Sequence, residues 1–259
     1  MKNEVQTLLA AISFYTRLPL PKTFMPDVQS FSKASKYLPF VGWLIGCLQL
    51  FVFVVFYLFF PLRIAVVCAM IAGIMITGAL HEDGFIDCCD AFGAGKGKDE
   101  TLYIMKDSRV GAFGVIGYVA VFFLKIELLV AIAECGIAVV VLSFITAQSM
   151  SRLMPFWFIV TDHYARLDDV SSKSKMLVSG IFERYEILFA IACGLVPLLF
   201  LQSFWLVLLL LGLLIVLKRL LSAYFMRRIG GYTGDCLGAV QQISELLVYM
   251  SIVFIWNCI

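Results

Sequence analysis

The chain has 259 residues, of which 62% are hydrophobic and only 15% charged, with a formal net charge of +2. A water-soluble domain carries about 25% charged residues, so this chain has too little polar surface to cover a soluble globule, and its apolar content excludes a disordered chain and a small disulfide scaffold. Its apolar segments lack the period-two alternation of an outer-membrane barrel, which leaves an all-α, polytopic membrane helical bundle forming one integral domain over residues 1–259.

Residues 1–18 place Val5, Leu8, Leu9, Ile12, Tyr15 and Leu18 on one stripe, which predicts an interfacial helix ending at Pro19. Charged residues interrupt this segment, so it does not read as a cleavable signal. Residues 37–62 contain no charge and are long enough to cross a bilayer, as span one. Residues 64–80 follow as span two. Residues 81–112 then hold seven acids, four bases and five glycines, the most polar stretch of the chain. Residues 115–133 and 137–160 are spans three and four. The 31 uncharged residues 187–217 would rise about 46 Å as one helix, too long for one upright span, and are split at Gln202-Ser203 into spans five and six. Residues 236–256 form the seventh span.

Seven spans put residues 1–36, 81–112, 161–185 and 218–235 on one side, and these segments hold 17 of the 20 Lys and Arg residues. Cytoplasmic loops carry the basic excess, so this side is the expected cytoplasmic face, with catalytic segments at 81–112, 161–185 and 218–235. The eight cysteines include no CxxC pair, and those within apolar runs read as small hydrophobes rather than disulfide partners.

On a helix continuing span two, Asp83, Asp87 and Asp90 share one narrow face. Three carboxylates so placed repel unless a cation sits among them, and oxygen ligation suits Mg2+ or Mn2+. Lys106, Asp107, Ser108 and Arg109 follow; Arg109 can fork onto a phosphate while Lys106 acts as a point charge. Gly93 to Lys98 resembles a P-loop only superficially, since GxxxxGK[ST] is not matched. Near the C-terminus, Thr233 or Asp235 can cap a helix, and Asp235 shares a face with Gln242. Glu245 lies about 15 Å deeper along the last helix, and Arg152 sits within span four; ionisable groups in a membrane usually line a functional cavity. Lys125 and Glu127 occupy different faces of span three and read equally as packing partners of neighbouring helices or as functional groups. His163, Arg166, Asp168 and Asp169 read as solvated surface. A metal held by carboxylates beside Arg and Lys points to phosphoryl-group transfer at the membrane surface.

Several motifs recur together and in order. They are Phe14-Tyr15-Thr16-Arg17-Leu18-Pro19, Pro39-Phe40-Val41-Gly42, the HxDGxxDxxD segment at 81–90, Lys106-Asp107-Ser108-Arg109 with Gly111 and Gly114, Ser151-Arg152, and Gly231-Tyr232-Thr233-Gly234-Asp235 with Gly238-Ala239. In these the chain resembles the cobalamin synthase family, the adenosylcobinamide-GDP ribazoletransferases. The resemblance implies that α-ribazole or its 5′-phosphate attacks adenosylcobinamide-GDP, releasing GMP and forming adenosylcobalamin or its 5′-phosphate, with Mg2+ as cofactor. Mapped onto this chain, it implies Asp83, Asp87 and Asp90 as metal ligands and Lys106 with Arg109 as countercharges for the diphosphate. Ser108, Arg152, Thr233 and Glu245 become candidate substrate contacts. Asp90, Asp107 and Asp235 are candidates to deprotonate the ribose 3′-hydroxyl. Localisation in the bacterial plasma membrane, with the N-terminus cytoplasmic, rests on this likeness together with the loop charges. No nucleic-acid partner is expected, whereas the basic residues of 17–36 and 161–185 offer contacts for membrane lipid or other enzymes of the pathway.

Two other readings compete with this one. A CDP-alcohol phosphotransferase also sets Mg2+ among aspartates on a membrane helix, but its DxxDGxxAR motif fails here, where Asp83-Gly84 is followed by Phe85-Ile86-Asp87. A secondary transporter would account for in-membrane charges, but no internal repeat relates the two halves of the sequence.

Overall fold

A computed structural model describes residues 2–21, 26–165, 180–201 and 203–258. Its helices are α1 (Lys2–Tyr15), α2 (Leu38–Tyr57), α3 (Leu62–Thr77), α4 (Leu80–Ala94), α5 (Lys98–Ile104), α6 (Ala112–Glu134), α7 (Ile137–Thr161), α8 (Arg184–Leu195), α9 (Phe204–Ile229) and α10 (Gly234–Cys258), with 3-10 turns at Val28–Tyr37 and Val196–Phe200. Among the described residues the one departure from helix and turn is an isolated bridge between Tyr164 and Tyr232. The all-α expectation holds. The candidates Arg166, Asp168 and Asp169 lie outside the described residues.

Among the described residues, five helical segments are long and apolar enough to cross a membrane: 30–57, 112–134, 137–161, 204–229 and 234–256. The count rises to six if α3 and α4 together form one broken span. The expected count of seven is not confirmed by these segments. α3 has 16 residues, rising about 24 Å, and α8 has 12, rising about 18 Å, both short of a bilayer's hydrocarbon thickness. The chain does break where the long apolar run was split. Leu201 ends the 3-10 turn, and Ser203 Oγ accepts the Leu206 N–H to start α9. Residues 218–229, expected in a polar segment, instead extend α9 to Ile229. Its Lys, Arg, Leu, Ala and Met residues favour helix, and the first breaker is Gly230, which closes the helix at φ +78°.

The largest departure from the sequence reading lies between α3 and α4. The acidic segment does not prolong span two: α4 leaves α3 at 89°. Gly78 and Ala79 both adopt left-handed backbone, at φ 64° and 60°. For glycine this is inexpensive, whereas alanine there is strained and needs support from its surroundings. Part of that support is the segment after α1, where the Arg17 N–H donates to Ile76 O at 2.6 Å.

The main core is the packing of α2 on α7 and of α10 on α4 and α7. A second, smaller core joins α1 to the start of α2 through Ala10, Ala11, Tyr15, Ala34, Leu38, Val41 and Ile45. α1 thus buries small residues against α2, while Leu8, Leu9 and Ile12 are only half-buried and Val5 is exposed. The helix ends at Tyr15, before the expected Pro19.

Candidate active site

Where α4 crosses the start of α10, the helices touch backbone to backbone. A Cβ on Gly84 would stand 2.8 Å from Asp235 O, and one on Gly238 would stand 2.9 Å from His81 O. Only glycine allows so close an approach, and it draws two acids distant in the chain, Asp83 and Asp235, onto one cavity. The cavity measures about 120 Å3 and is lined by Asp83, Gly84 and His81 of α4, Gly234, Asp235 and Gly238 of α10, Phe14 and Tyr15 of α1, and Pro155 and Ile159 of α7. Asp83 is exposed and Asp87, one helical turn further, is half-buried.

The N-terminus of α10 is fixed by the residues before it. Gly230 and Gly231 turn the chain at positive φ, and Tyr232 is clamped to the end of α7, its N–H donating to His163 O and its O accepting from the Ala165 N–H, both at 2.8 Å. Thr233 Oγ1 accepts the Cys236 N–H at 3.3 Å, the helix-capping role, and is fully buried beside Met105. Burial raises the Tyr232 phenol above its ordinary value. Asp162, just past α7, is pushed up by burial. That push is outweighed by hydrogen bonds from Lys218, Ser222 and Thr161, so its carboxyl titrates below the usual range.

Asp90 stands on the expected face of α4 but serves another helix. Its carboxylate accepts the Gly111 N–H at 2.7 Å and the Gly114 N–H at 2.8 Å, closing the N-terminus of α6 from a different helix. The three aspartates share one side of α4 as the arithmetic required, but both oxygens of the third are engaged by backbone amides. Among the described residues, no three His, Cys, Asp or Glu side chains converge as a preformed metal cage. The turn of Lys106, Asp107, Ser108 and Arg109 lies on the surface just ahead of α6. There the Arg109 guanidinium forks onto Asp107 at 2.6–3.0 Å and holds that carboxyl below its ordinary value. None of these four residues lines the cavity.

Arg152 and Glu245 also lie elsewhere. Both line a smaller cavity of about 30 Å3 deeper in the bundle. Glu245 accepts from Lys125 Nζ at 2.9 Å, Gln148 Nε2 at 2.8 Å and Gln241 Nε2 at 3.0 Å. Arg152 donates to the Gln148 carbonyl at 3.1 Å and to the Gln148 side chain. On the different faces expected of them, Lys125 turns inward to this network while Glu127 pairs with Arg63 on the exterior. Cys88 and Cys236 sit 4.0 Å apart, sulfur to sulfur, as buried free thiols.

Sequence reasoning missed the lining residues Phe14, Tyr15 and His81. Each stands inside a motif already singled out, but nothing in sequence spacing says that α1 folds back beside α4. Glu82, on the side of α4 away from the aspartates, accepts from Gln242 Nε2 at 3.0 Å.

The family described as cobalamin-5-phosphate synthase matches residues 7–253. A protein named adenosylcobinamide-GDP ribazoletransferase from Shewanella baltica strain OS155 is 40% identical over 257 residues, covering 98% of this chain and 96% of the relative. One of the same name from Shewanella sp. strain W3-18-1 is 40% identical over 255 residues, 98% of this chain and 95% of the relative. No solved structure matches.

Proposed function

The chain belongs to the cobalamin-5-phosphate synthase family, and from that premise we propose that the cavity between α4 and α10 is where its transfer reaction takes place. The protein is an adenosylcobinamide-GDP ribazoletransferase of cobalamin synthesis. In the reaction the 3′-hydroxyl oxygen of α-ribazole, or of its 5′-phosphate, bonds to the phosphorus that carries the cobinamide. The bond from that phosphorus to the bridging oxygen breaks, and GMP leaves with that oxygen while the hydroxyl proton passes to a base. The observation that carries the siting is the meeting of Asp83 and Asp235, from two helices, on one cavity beside glycine-lined backbone.

Of the three candidate bases, Asp235 is the one that lines the cavity together with Asp83; Asp90 and Asp107 do not. We assign Asp235 to accept the 3′-hydroxyl proton. The α10 N-terminus, at the positive end of the helix dipole, suits a phosphoryl oxygen alongside it. Arg109, exposed and already forked onto a carboxylate, is suited to exchange that partner for the diphosphate.

Mg2+ is the proposed cofactor. The donors on the page fit it: Mg2+ is usually held by one or two carboxylates, with waters and substrate phosphates completing its shell, so a preformed cage of three side chains is not required. Asp83 would hold it, with Asp87 one turn beyond, and Asp90 is withdrawn from the set. When bound, the ion neutralises charge developing on the diphosphate. The loop charges support a cytoplasmic catalytic face at the bacterial plasma membrane.

The test is a pair of isosteric variants in lipid. Asp83→Asn and Asp235→Asn are each expected to lose turnover by about 100-fold or more at unchanged melting temperature. Near-normal turnover in Asp235→Asn would remove it as the base, and near-normal turnover in Asp83→Asn would move the site.

A further inference from the structure

The small cavity beneath α4 is lined by residues whose hydrogen bonding is incomplete in a particular way. Glu82 Oε1 accepts from Gln242 Nε2 at 3.0 Å, but its Oε2 is buried without a protein partner. Gln49 donates through Nε2 to Ala69 O at 3.3 Å, and its Oε1 has no partner. Arg152 donates through Nη1, and its Nε–H has none. Gln49 and Arg152 are 5% and 2% exposed. All three residues line the same space of about 30 Å3, room for a water-sized ligand.

The chemistry of these groups selects the ligand. Two acceptors and one donor need an occupant that donates twice and accepts once through a single small centre. A cation would suit the two oxygens but meet the Arg152 guanidinium and the Lys125 ammonium on the same walls. An anion would suit Arg152 but meet the carboxylates of Glu82 and Glu245. Water satisfies all three at once.

We propose that this cavity is the site of one resident water molecule that donates to Glu82 Oε2 and Gln49 Oε1 and accepts from Arg152 Nε–H, making Glu82 the positioning residue for Asp83. Glu82 is then gripped at both oxygens, by Gln242 on one side and by the water on the other. It stands three residues beyond the strained Ala79, in the first turn of the helix that leaves α3 at 89°. The buried network of Lys125, Glu245, Gln148 and Gln242 thus holds the acid-bearing helix in place without touching substrate. The positioning role rests on Asp83 belonging to the transfer site; the water site does not.

The test uses the full chain in lipid nanodiscs. Cryo-electron microscopy at a resolution that resolves water should show one peak about 3 Å from each of the three atoms. A dry cavity, or a bound ion, overturns the water site. Amide hydrogen exchange across residues 83–87 is expected to speed up about tenfold in Glu82→Ala and less in Gln49→Leu, which leaves every charge in place. Turnover should fall in proportion, with KM for adenosylcobinamide-GDP changed little. A purely structural role would lower the yield of folded protein but leave kcat per folded molecule intact. Wild-type exchange and kcat in Glu82→Ala overturn the positioning role; should that variant not fold, unchanged exchange in Gln49→Leu does so. Failure of the site reading is distinct from these outcomes: it is full turnover in Asp83→Asn, with the peak and the exchange pattern unaffected.

Discussion

Replacing Asp90 separates a metal ligand from a helix cap. Its two oxygens accept the N–H groups of Gly111 and Gly114 at 2.7 and 2.8 Å, and the residue is 8% exposed. Asp90→Ala strands two amides at the start of α6, each costing about 1–1.5 kcal/mol, and removes a carboxylate from the positive end of a helix dipole. The sum is about 3 kcal/mol. For a chain of this size that corresponds to a melting temperature lower by about 6–12 °C. Asp90→Asn keeps one acceptor and should fall about halfway. The assay is thermal unfolding in detergent at a fixed scan rate, since membrane proteins rarely unfold reversibly, paired with limited trypsin digestion. Loss of the clamp should expose Lys106 and Arg109 to faster cleavage. A melting temperature equal to wild type, combined with a raised Mg2+ requirement, would refute the capping role and restore Asp90 to the metal set.

Other consequences of the structure can be tested alongside. Gly238→Ala places a methyl 2.9 Å from His81 O, which should cost about 1–3 kcal/mol and reduce turnover, read by unfolding and by initial rates. Lys125→Met leaves Glu245 as an uncompensated buried charge and is expected to destabilise by about 3–5 kcal/mol, with much of the loss recovered in the double variant Lys125→Met/Glu245→Gln. Arg109→Ala removes only an exposed partner of Asp107, so it should leave the melting temperature unchanged while lowering turnover. Asp162 titrates below the usual carboxylate range, so its stabilising effect is present above about pH 4 and is lost as pH falls through the depressed value. Wild type should therefore lose melting temperature on acidification below pH 4 more steeply than Asp162→Asn.

Much of the bundle could be read from hydropathy because long uncharged runs have few alternatives in a membrane. The break near residue 202 followed from length alone. The α3–α4 bend could not be read in the same way: Gly78 is a visible signal, but Ala79 in left-handed backbone is imposed by its surroundings. The basic residues after Leu217 marked a polar segment correctly in charge and wrongly in form, since Lys and Arg sustain a helix as well as leave one. At the candidate site, Gly84 and Gly238 let α4 and α10 touch, and Asp83 and Asp235 share a cavity, a pairing that no local spacing shows. Periodicity placed Asp90 on the face of Asp83 and Asp87, but the partner claiming it lies 21 and 24 residues away, beyond the reach of any local pattern. Arg152 and Glu245 stood out as costly in-membrane charges; in the structure Glu245 is met by Lys125, Gln148 and Gln241, and Arg152 donates to Gln148.

The most direct measurement is product analysis with purified protein in lipid, supplied with adenosylcobinamide-GDP, α-ribazole and Mg2+. GMP formed in a one-to-one ratio with adenosylcobalamin, and lost both with EDTA and in Asp83→Asn, is the predicted result. GMP and cobalamin forming undiminished in EDTA or in Asp83→Asn would contradict the site and its metal.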